Sequence, residues 1–285
     1  MIGGAELGGT KCVLAVGNSP LEILDRCTVP TSDPVSTFEK IHNFFSSYQL
    51  DSLGVGSFGP IILDRKSVDY GMIYSESKKG WKGINICQMF KDKLKFDVAI
   101  DTDVNVAGLG EFQYGAGKYS NNLVYLTIGT GIGGGLLVNG KIHHGIFHLE
   151  MGHIPMPNPE SFDSVCRVHD NCWDGLASGP ALELRYGMTP SDMVESHMGW
   201  DEEAKLIALG VISIIANHSP DKIIIGGGVM RQKHLYSKIK KHVLNYWNDC
   251  TPIIDIDDLI VEPKLGNDSG IIGSMILGNS YSTQI

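Results

Sequence analysis

Two carboxylates, Asp101 and Asp103, stand where a short apolar run (Val98 to Ile100) passes into a helical stretch that begins at Val104. A carboxylate at such a junction lies beside helix N–H groups and stays ionised. It can then accept a proton from a hydroxyl as a general base; a plain helix-capping aspartate is the other reading. A second chemical cluster is Cys166-Arg-Val-His169-Asp-Asn-Cys172, three soft ligands at i, i+3 and i+6. His153, upstream across a stretch holding Pro155, Pro157 and Pro159, completes a tetrahedral set. Four protein ligands leave no open coordination position, so the expected ion is a structural zinc fastening the loop 153–172. A disulfide is the alternative, disfavoured in a reducing compartment. Cys12, Cys27, Cys87 and Cys250 are isolated and read as core thiols.

Positioning falls to glycine. The chain of 285 residues holds 35 glycines, clustered at the ends of short β-branched runs. Turns of that kind let backbone approach a ligand closely. Glu6-Leu-Gly8-Gly9-Thr10-Lys11 and Thr127-Ile-Gly129-Thr130-Gly131 read as tips of β-hairpins, where backbone N–H groups and threonine hydroxyls form concavities suited to phosphate oxygens. Gly129-x-Gly131-x-x-Gly134 also fits the dinucleotide fingerprint, as does Gly54-x-Gly56-x-x-Gly59. That fingerprint requires a helix opening directly after the glycines. Gly135 to Gly140 instead reads as a strand ending in an Asn-Gly turn, and Pro60-Ile-Ile opens no helix. The Rossmann reading is rejected.

The order hairpin, helix, strand, glycine turn occurs twice, the second time ending at Gly226-Gly227-Gly228. Two similar α/β domains are therefore expected: residues 1–112 with a returning C-terminal helix at 270–285, and residues 113–269, with the glycine tips facing a common cleft. The 23 basic and 32 acidic residues give a net charge of −9, with no basic stripe for nucleic acid. No apolar run reaches membrane-span length and no signal peptide is evident. A cytoplasmic protein binding neither nucleic acid nor membrane is expected.

Together these segments, with Gly56-Ser-Phe-Gly-Pro60, Glu150-Met-Gly-His153, Ser178-Gly-Pro180 and Ile225-Gly-Gly-Gly-Val229, resemble the ROK family (repressors, open reading frames and sugar kinases) of the actin/hexokinase superfamily. The Cys-x-x-His-x-x-Cys form resembles its bacterial fructokinase branch. The resemblance implies a two-domain, ribonuclease H-like α/β fold closing over ATP and a hexose, and transfer of the γ-phosphoryl group to a sugar 6-hydroxyl. Asp103 matches the base. Gly8, Gly9, Thr10, Lys11, Thr130 and Gly131 match phosphate-binding positions, and Gly226, Gly227 and Gly228 would lie under the adenosine. Glu6 would face the Mg²⁺ that accompanies ATP. Gly59, Thr102, Glu150, His153 and Asp174 match sugar-contacting positions, which makes His153 both zinc ligand and site wall. A homodimer is implied too. With the first phosphate hairpin beginning at residue 6, the helix-turn-helix of the family's repressors is not expected. Three residues depart from the commoner family pattern: Thr102 for asparagine, Asp174 for glutamate and Glu6 for aspartate. The first two bear on the substrate. Fructose is the leading expectation; glucose, mannose or N-acetylmannosamine, a non-catalytic sugar sensor, and a zinc-stabilised hydrolase are the alternatives.

Overall fold

The computed structural model describes residues 1–158, 160–252 and 255–282. Pro159 of the expected metal loop and residues 283–285 of the expected closing helix lie outside them. In chain order the elements are β1 (Ile2–Leu7), β2 (Lys11–Ser19), β3 (Glu22–Pro30), α1 (Pro34–Phe45), β4 (Ser52–Ser57), α2 (Ile86–Leu94), β5 (Ala99–Thr102) and α3 (Asp103–Tyr114). There follow β6 (Asn122–Ile128), β7 (Ile132–Val138), β8 (Lys141–Ile142), α4 (Trp173–Ala177), α5 (Gly179–Tyr186), α6 (Gly199–His218) and β9 (Lys222–Gly226). The chain ends with α7 (His234–Trp247), α8 (Ile256–Leu259), β10 (Ile260–Val261) and α9 (Ser269–Ser282).

The chain divides into two compact units, 1–118 with 141–148 and 264–285, and 119–140 with 149–263. The expected boundary at 112 falls inside α3, whose hydrogen-bonded turns cannot be split between units; the return to the first unit also begins earlier, at Lys264. A second excursion, 141–148, was not expected at all.

Each unit follows the duplicated plan. In the first, β1 pairs antiparallel with β2 and parallel with β4, giving the order β3-β2-β1-β4-β5. In the second, β6 pairs antiparallel with β7 and parallel with β9, in the order β10-β9-β6-β7. Strands such as Lys222-Ile-Ile-Ile-Gly226 are continuously apolar because helices cover both faces. Leu14, Phe38, Val55, Trp81 and Phe90 fill the first core, and Leu126, Trp173, Trp200, Ile207 and Ile225 the second. Cys250 is exposed, so of the four isolated cysteines this one is no core thiol; Cys12 is buried, with Cys27 and Cys87 half-buried. Among the described residues no helix is long and apolar enough to cross a membrane.

α3, which carries Asp103, is held by α9 at backbone contact. A Cβ built on Gly273 would lie 1.6 Å from the Val106 carbonyl oxygen, and one on Gly110 would lie 2.5 Å from that of Ser269. Glu111, fully buried, ties the same junction by accepting from the N–H groups of Lys264 and Leu265 and from the Ser269 hydroxyl. Because the obstacle is backbone, no rotamer change relieves it. Gly273→Ala is expected to lower unfolding free energy by about 3 kcal/mol or more, the upper end of overpacking costs, read by urea denaturation. Stability within about 1 kcal/mol of wild type would show that the helices part without strain.

In the second unit Glu203 on α6 is fully buried, and neither carboxylate oxygen has a protein hydrogen-bond partner. Burial pushes its pKa well above the carboxylate range, opposed by the Arg185 guanidinium. That guanidinium lies 3.9 Å over the Phe162 ring and donates to the Leu176 carbonyl. The folded pKa thus exceeds the unfolded value of about 4.3. Below that value both states hold the proton; as pH rises the unfolded chain ionises first, and folding stability falls. Glu203→Gln is expected to gain melting temperature relative to wild type between pH 5 and pH 8. An identical difference at both pH values would exclude a buried neutral acid.

Candidate active site

The first unit presents Asp103 as the first residue of α3. Thr102, not an aspartate, is the N-cap: its hydroxyl accepts from Asn105 N–H at 3.2 Å. Asp103 is half-buried, and its Oδ1 accepts from Val104 N–H at 2.9 Å. Asp101 has a different part. It is buried and accepts from Thr102 N–H (2.8 Å) and from the Asn105 amide (2.7 Å). His144 Nε2 also lies 3.1 Å from this carboxylate. The hydrogen bond to Asp101 raises the His144 pKa, against the effect of burial. Of two acids two residues apart, Asp101 braces the strand-to-helix corner and Asp103 opens α3.

Beside it, the β1–β2 turn is closed by Gly8 N–H donating to the Lys11 carbonyl (3.0 Å), with Gly9, Thr10 and Lys11 exposed at its tip. Thr31 braces it from β3's end, donating to the Gly8 carbonyl at 2.7 Å and accepting a contact from the Cys12 thiol. Glu6 sits at the turn's base against Gly270. Burial, and then the Asp103 charge, push its carboxyl up to about 7, while Lys11 pulls it down. Gly59 lies against His148, whose Nε2 accepts from Ile61 N–H at 3.1 Å.

The second unit gathers the rest. In the β6–β7 turn Gly129 N–H donates to the Gly131 carbonyl, and Gly179 N–H, opening α5, donates to Gly129 at 2.7 Å. No helix follows the glycines: Ile132 opens β7, as the rejection of the dinucleotide fingerprint required. Asp174 Oδ1 accepts from Ile132 N–H at 2.6 Å, so this carboxylate is first of all a brace for the turn. Gly129, Thr130, Gly179, Glu183, Gly228 and Arg231 line a cleft of about 470 Å³. Of the three predicted adenosine glycines only Gly228 lines it. Gly226 packs on Tyr125 and Pro263, and Gly227, at φ +99°, runs so close to the Ile128 backbone that a Cβ would lie 2.3 Å from its carbonyl oxygen. That approach demands glycine.

Glu150 and Asp174 interact, and burial together with Asp174 pushes the Glu150 carboxyl up to about 7. His153 links this pair to the cysteines through its two ring nitrogens. Nε2 lies 4.0 Å from Glu150 Oε2, while Nδ1 lies 3.5 Å from Cys172 Sγ and 4.0 Å from Cys166 Sγ. Ligand atoms of His153, Cys166, His169 and Cys172 all fall within 4.8 Å of one another. Zn–S and Zn–N bonds of about 2.3 and 2.05 Å at tetrahedral angles imply S···N edges of roughly 3.6 Å, close to the 3.5–4.0 Å seen. The sulfurs also accept backbone N–H groups, from Val168 and His169 at Cys166 and from Gly175 at Cys172. Such bonds suit thiolates. The donor set fits zinc.

Sequence reasoning missed His144, Thr31, Glu183 and Arg231 as parts of these sites. The run His143-His144 was a visible signal for the first; Thr31 carries none, since it reaches its place by a contact across 23 residues, whereas Glu183 and Arg231 follow within four residues of the glycines Gly179 and Gly228.

Paired sheets, each an antiparallel hairpin extended by parallel strands, with a carboxylate at a strand-to-helix corner and glycine turns in both units, define a two-domain protein of the actin/hexokinase class. The chain matches the family model described as the ROK family over residues 2–280 and belongs to that family. A relative from Bacillus subtilis (strain 168) is 42% identical over 285 residues, covering 98% of this chain and 95% of its own. The fructokinase of Pediococcus pentosaceus is 36% identical over 282 residues, covering 98% of each chain. Among solved structures, a ROK hexokinase from Thermus thermophilus superposes with a TM-score of 0.81 at 21% identity, covering 100% of this chain and 99% of that one. A Streptomyces griseus ROK family glucokinase in complex with glucose and AMPPNP gives 0.79 at 22%, covering 98% and 99%.

Proposed function

We propose that the protein is a fructokinase, transferring the γ-phosphoryl group of ATP to the 6-hydroxyl of D-fructose. The observation that carries this reading is near-complete coverage by relatives named fructokinase, of which those of Pediococcus pentosaceus and Streptococcus mutans are each 36% identical. An intact base position and both glycine turns support a catalytic protein over a sugar sensor, which has no need of a base.

In the proposed step the 6-hydroxyl oxygen bonds to the γ-phosphorus as the bond from that phosphorus to the β–γ bridging oxygen breaks. The hydroxyl proton passes to Asp103 and ADP leaves with the bridging oxygen. Positioning and charge neutralisation supply most of the rate in such transfers. Gly8, Gly9, Thr10 and Lys11 on one hairpin, with Thr130 and Gly131 on the other, are the groups that would hold the phosphates, and Gly228 borders the cleft assigned to the adenosine. Mg²⁺ arriving with ATP would neutralise phosphate charge, with Glu6 the carboxylate available to face it. Glu150 and His153 would contact the sugar, with Gly59 lining its pocket. Asp174 and Thr102 bear on it by holding the β6–β7 turn and the α3 corner. The zinc is structural in this reading. A cytoplasmic homodimer is carried over from the family.

The test is a coupled ADP-release assay with Mg-ATP and a panel of fructose, glucose, mannose and N-acetylmannosamine. Fructose should give the highest kcat/KM. A different preferred sugar would keep the kinase and discard the substrate; ADP release with none would move the reading to a sensor.

A further inference from the structure

The loop 74–83 of the first unit reaches the β1–β2 turn, and one residue on it carries charge there. Lys78 Nζ donates to the Gly9 carbonyl at 2.8 Å, across 69 residues of sequence. This is not what anchors the loop. Trp81 is fully buried, donates from its indole N–H to the Ser32 carbonyl at 2.8 Å, and packs its ring edge-on to Phe58 at 5.2 Å. Glu76 accepts from Gly80 N–H at 2.6 Å and closes the loop on itself. A single half-exposed ammonium–carbonyl contact adds little to so firm an attachment. Its effect is electrostatic placement.

The place needs a cation. Glu6 stands at the base of the same turn, where burial and then the negative charge of Asp103 disfavour its own charge. An incoming triphosphate adds more negative charge, and exposed Lys11 is one countercharge. The tip itself is open: no heavy atom lies within 4 Å of a Cβ built on Gly9. Lysine offers three N–H donors on a rotatable ammonium. With one on Gly9, the others can serve oxygens entering at that tip.

We propose that Lys78 is a phosphate-contacting catalytic residue, its ammonium neutralising charge on the transferring phosphoryl group while the Gly9 carbonyl holds it in position. No bond is made to the lysine; the transfer stays as written above. The proposal rests on the kinase reading and deepens it.

Lys78→Met, Lys78→Ala and Lys78→Arg are compared with Lys79→Met, a change at the exposed neighbouring lysine. Removing one preorganised donor to developing charge costs about 10²-fold in kcat, and that is the loss expected for Lys78→Met with the KM for fructose nearly unchanged. Lys78→Arg should recover part of it, and added ethylamine should restore turnover to Lys78→Ala. Calorimetry, which needs no turnover, should show weaker Mg-ATP binding by Lys78→Met and unchanged binding by Lys79→Met. Turnover and Mg-ATP affinity of Lys78→Met near wild type would overturn the inference. So would a loss accompanied by a lowered melting temperature that neither arginine nor ethylamine relieves, since Lys78 would then only hold the turn. A wild type that binds Mg-ATP yet phosphorylates no sugar would sink the kinase reading instead, and the affinity comparison would still decide whether Lys78 meets the phosphates.

Discussion

Asp103→Asn is expected to lower kcat by about 10²–10⁴-fold, the usual worth of a positioned general base, while fructose still binds. The structure makes this substitution a clean one. Asparagine keeps an Oδ1 that can accept the Val104 N–H now bonded to Asp103. The N-cap belongs to Thr102 and is untouched. The neighbouring acid is the informative contrast. Asp101 accepts from Thr102, Asn105 and His144, so Asp101→Asn would put an amide N–H₂ or a poorer acceptor among groups arranged around a carboxylate. Removing one partner of such a buried network costs stability. Asp103→Asn should therefore melt close to wild type and turn over slowly; Asp101→Asn should melt lower. Wild-type turnover in Asp103→Asn would remove the base assignment. A large loss of melting temperature there would reassign Asp103 to structure.

The second large effect concerns the metal loop. Cys172→Ser is expected to lose the zinc, about one ion per chain, and with it a large share of folding stability, because structural zinc binding is itself folding free energy. The consequence for activity follows from where Cys172 stands. It caps α4, accepting Gly175 N–H, and two residues on Asp174 reaches back to Ile132 N–H in the β6–β7 turn. His153, through its other nitrogen, faces Glu150. A loosened loop thus unsettles the proposed phosphate turn and the proposed sugar contacts together. Elemental analysis, thermal melting and kcat/KM on the mutant, and on wild type treated with a chelator, should fall in parallel. Full zinc occupancy in Cys172→Ser would overturn the ligand set.

Much of this site was legible in the chain because its signals are local. Glycine turns between β-branched runs, the i, i+3, i+6 ligands and a carboxylate at a strand-to-helix corner each depend on backbone geometry within a few residues. Duplication of the hairpin–helix–strand plan could be read for the same reason, and the structure repeats it in both units. The domain edges could not. The chain crosses between units at 118/119, 140/141, 148/149 and 263/264, and nothing in composition or turn chemistry marks 141–148 as belonging with the first unit.

By itself, then, the sequence determined the family and the fold class and singled out the candidate base and a candidate metal ligand set. Only the tertiary structure decided how similar residues divide their duties. It spends Asp101 on His144 and leaves Asp103 at the head of α3, turns Asp174 into a brace 42 residues from its partner, assigns the two nitrogens of His153 to different neighbours, and carries Lys78 to Gly9. The reason is physical. Local patterns report φ/ψ preferences and helix or strand periodicity, whereas the contacts of Asp101 with His144, Asp174 with Ile132 and Lys78 with Gly9 span 43, 42 and 69 residues and exist only because the cores have packed.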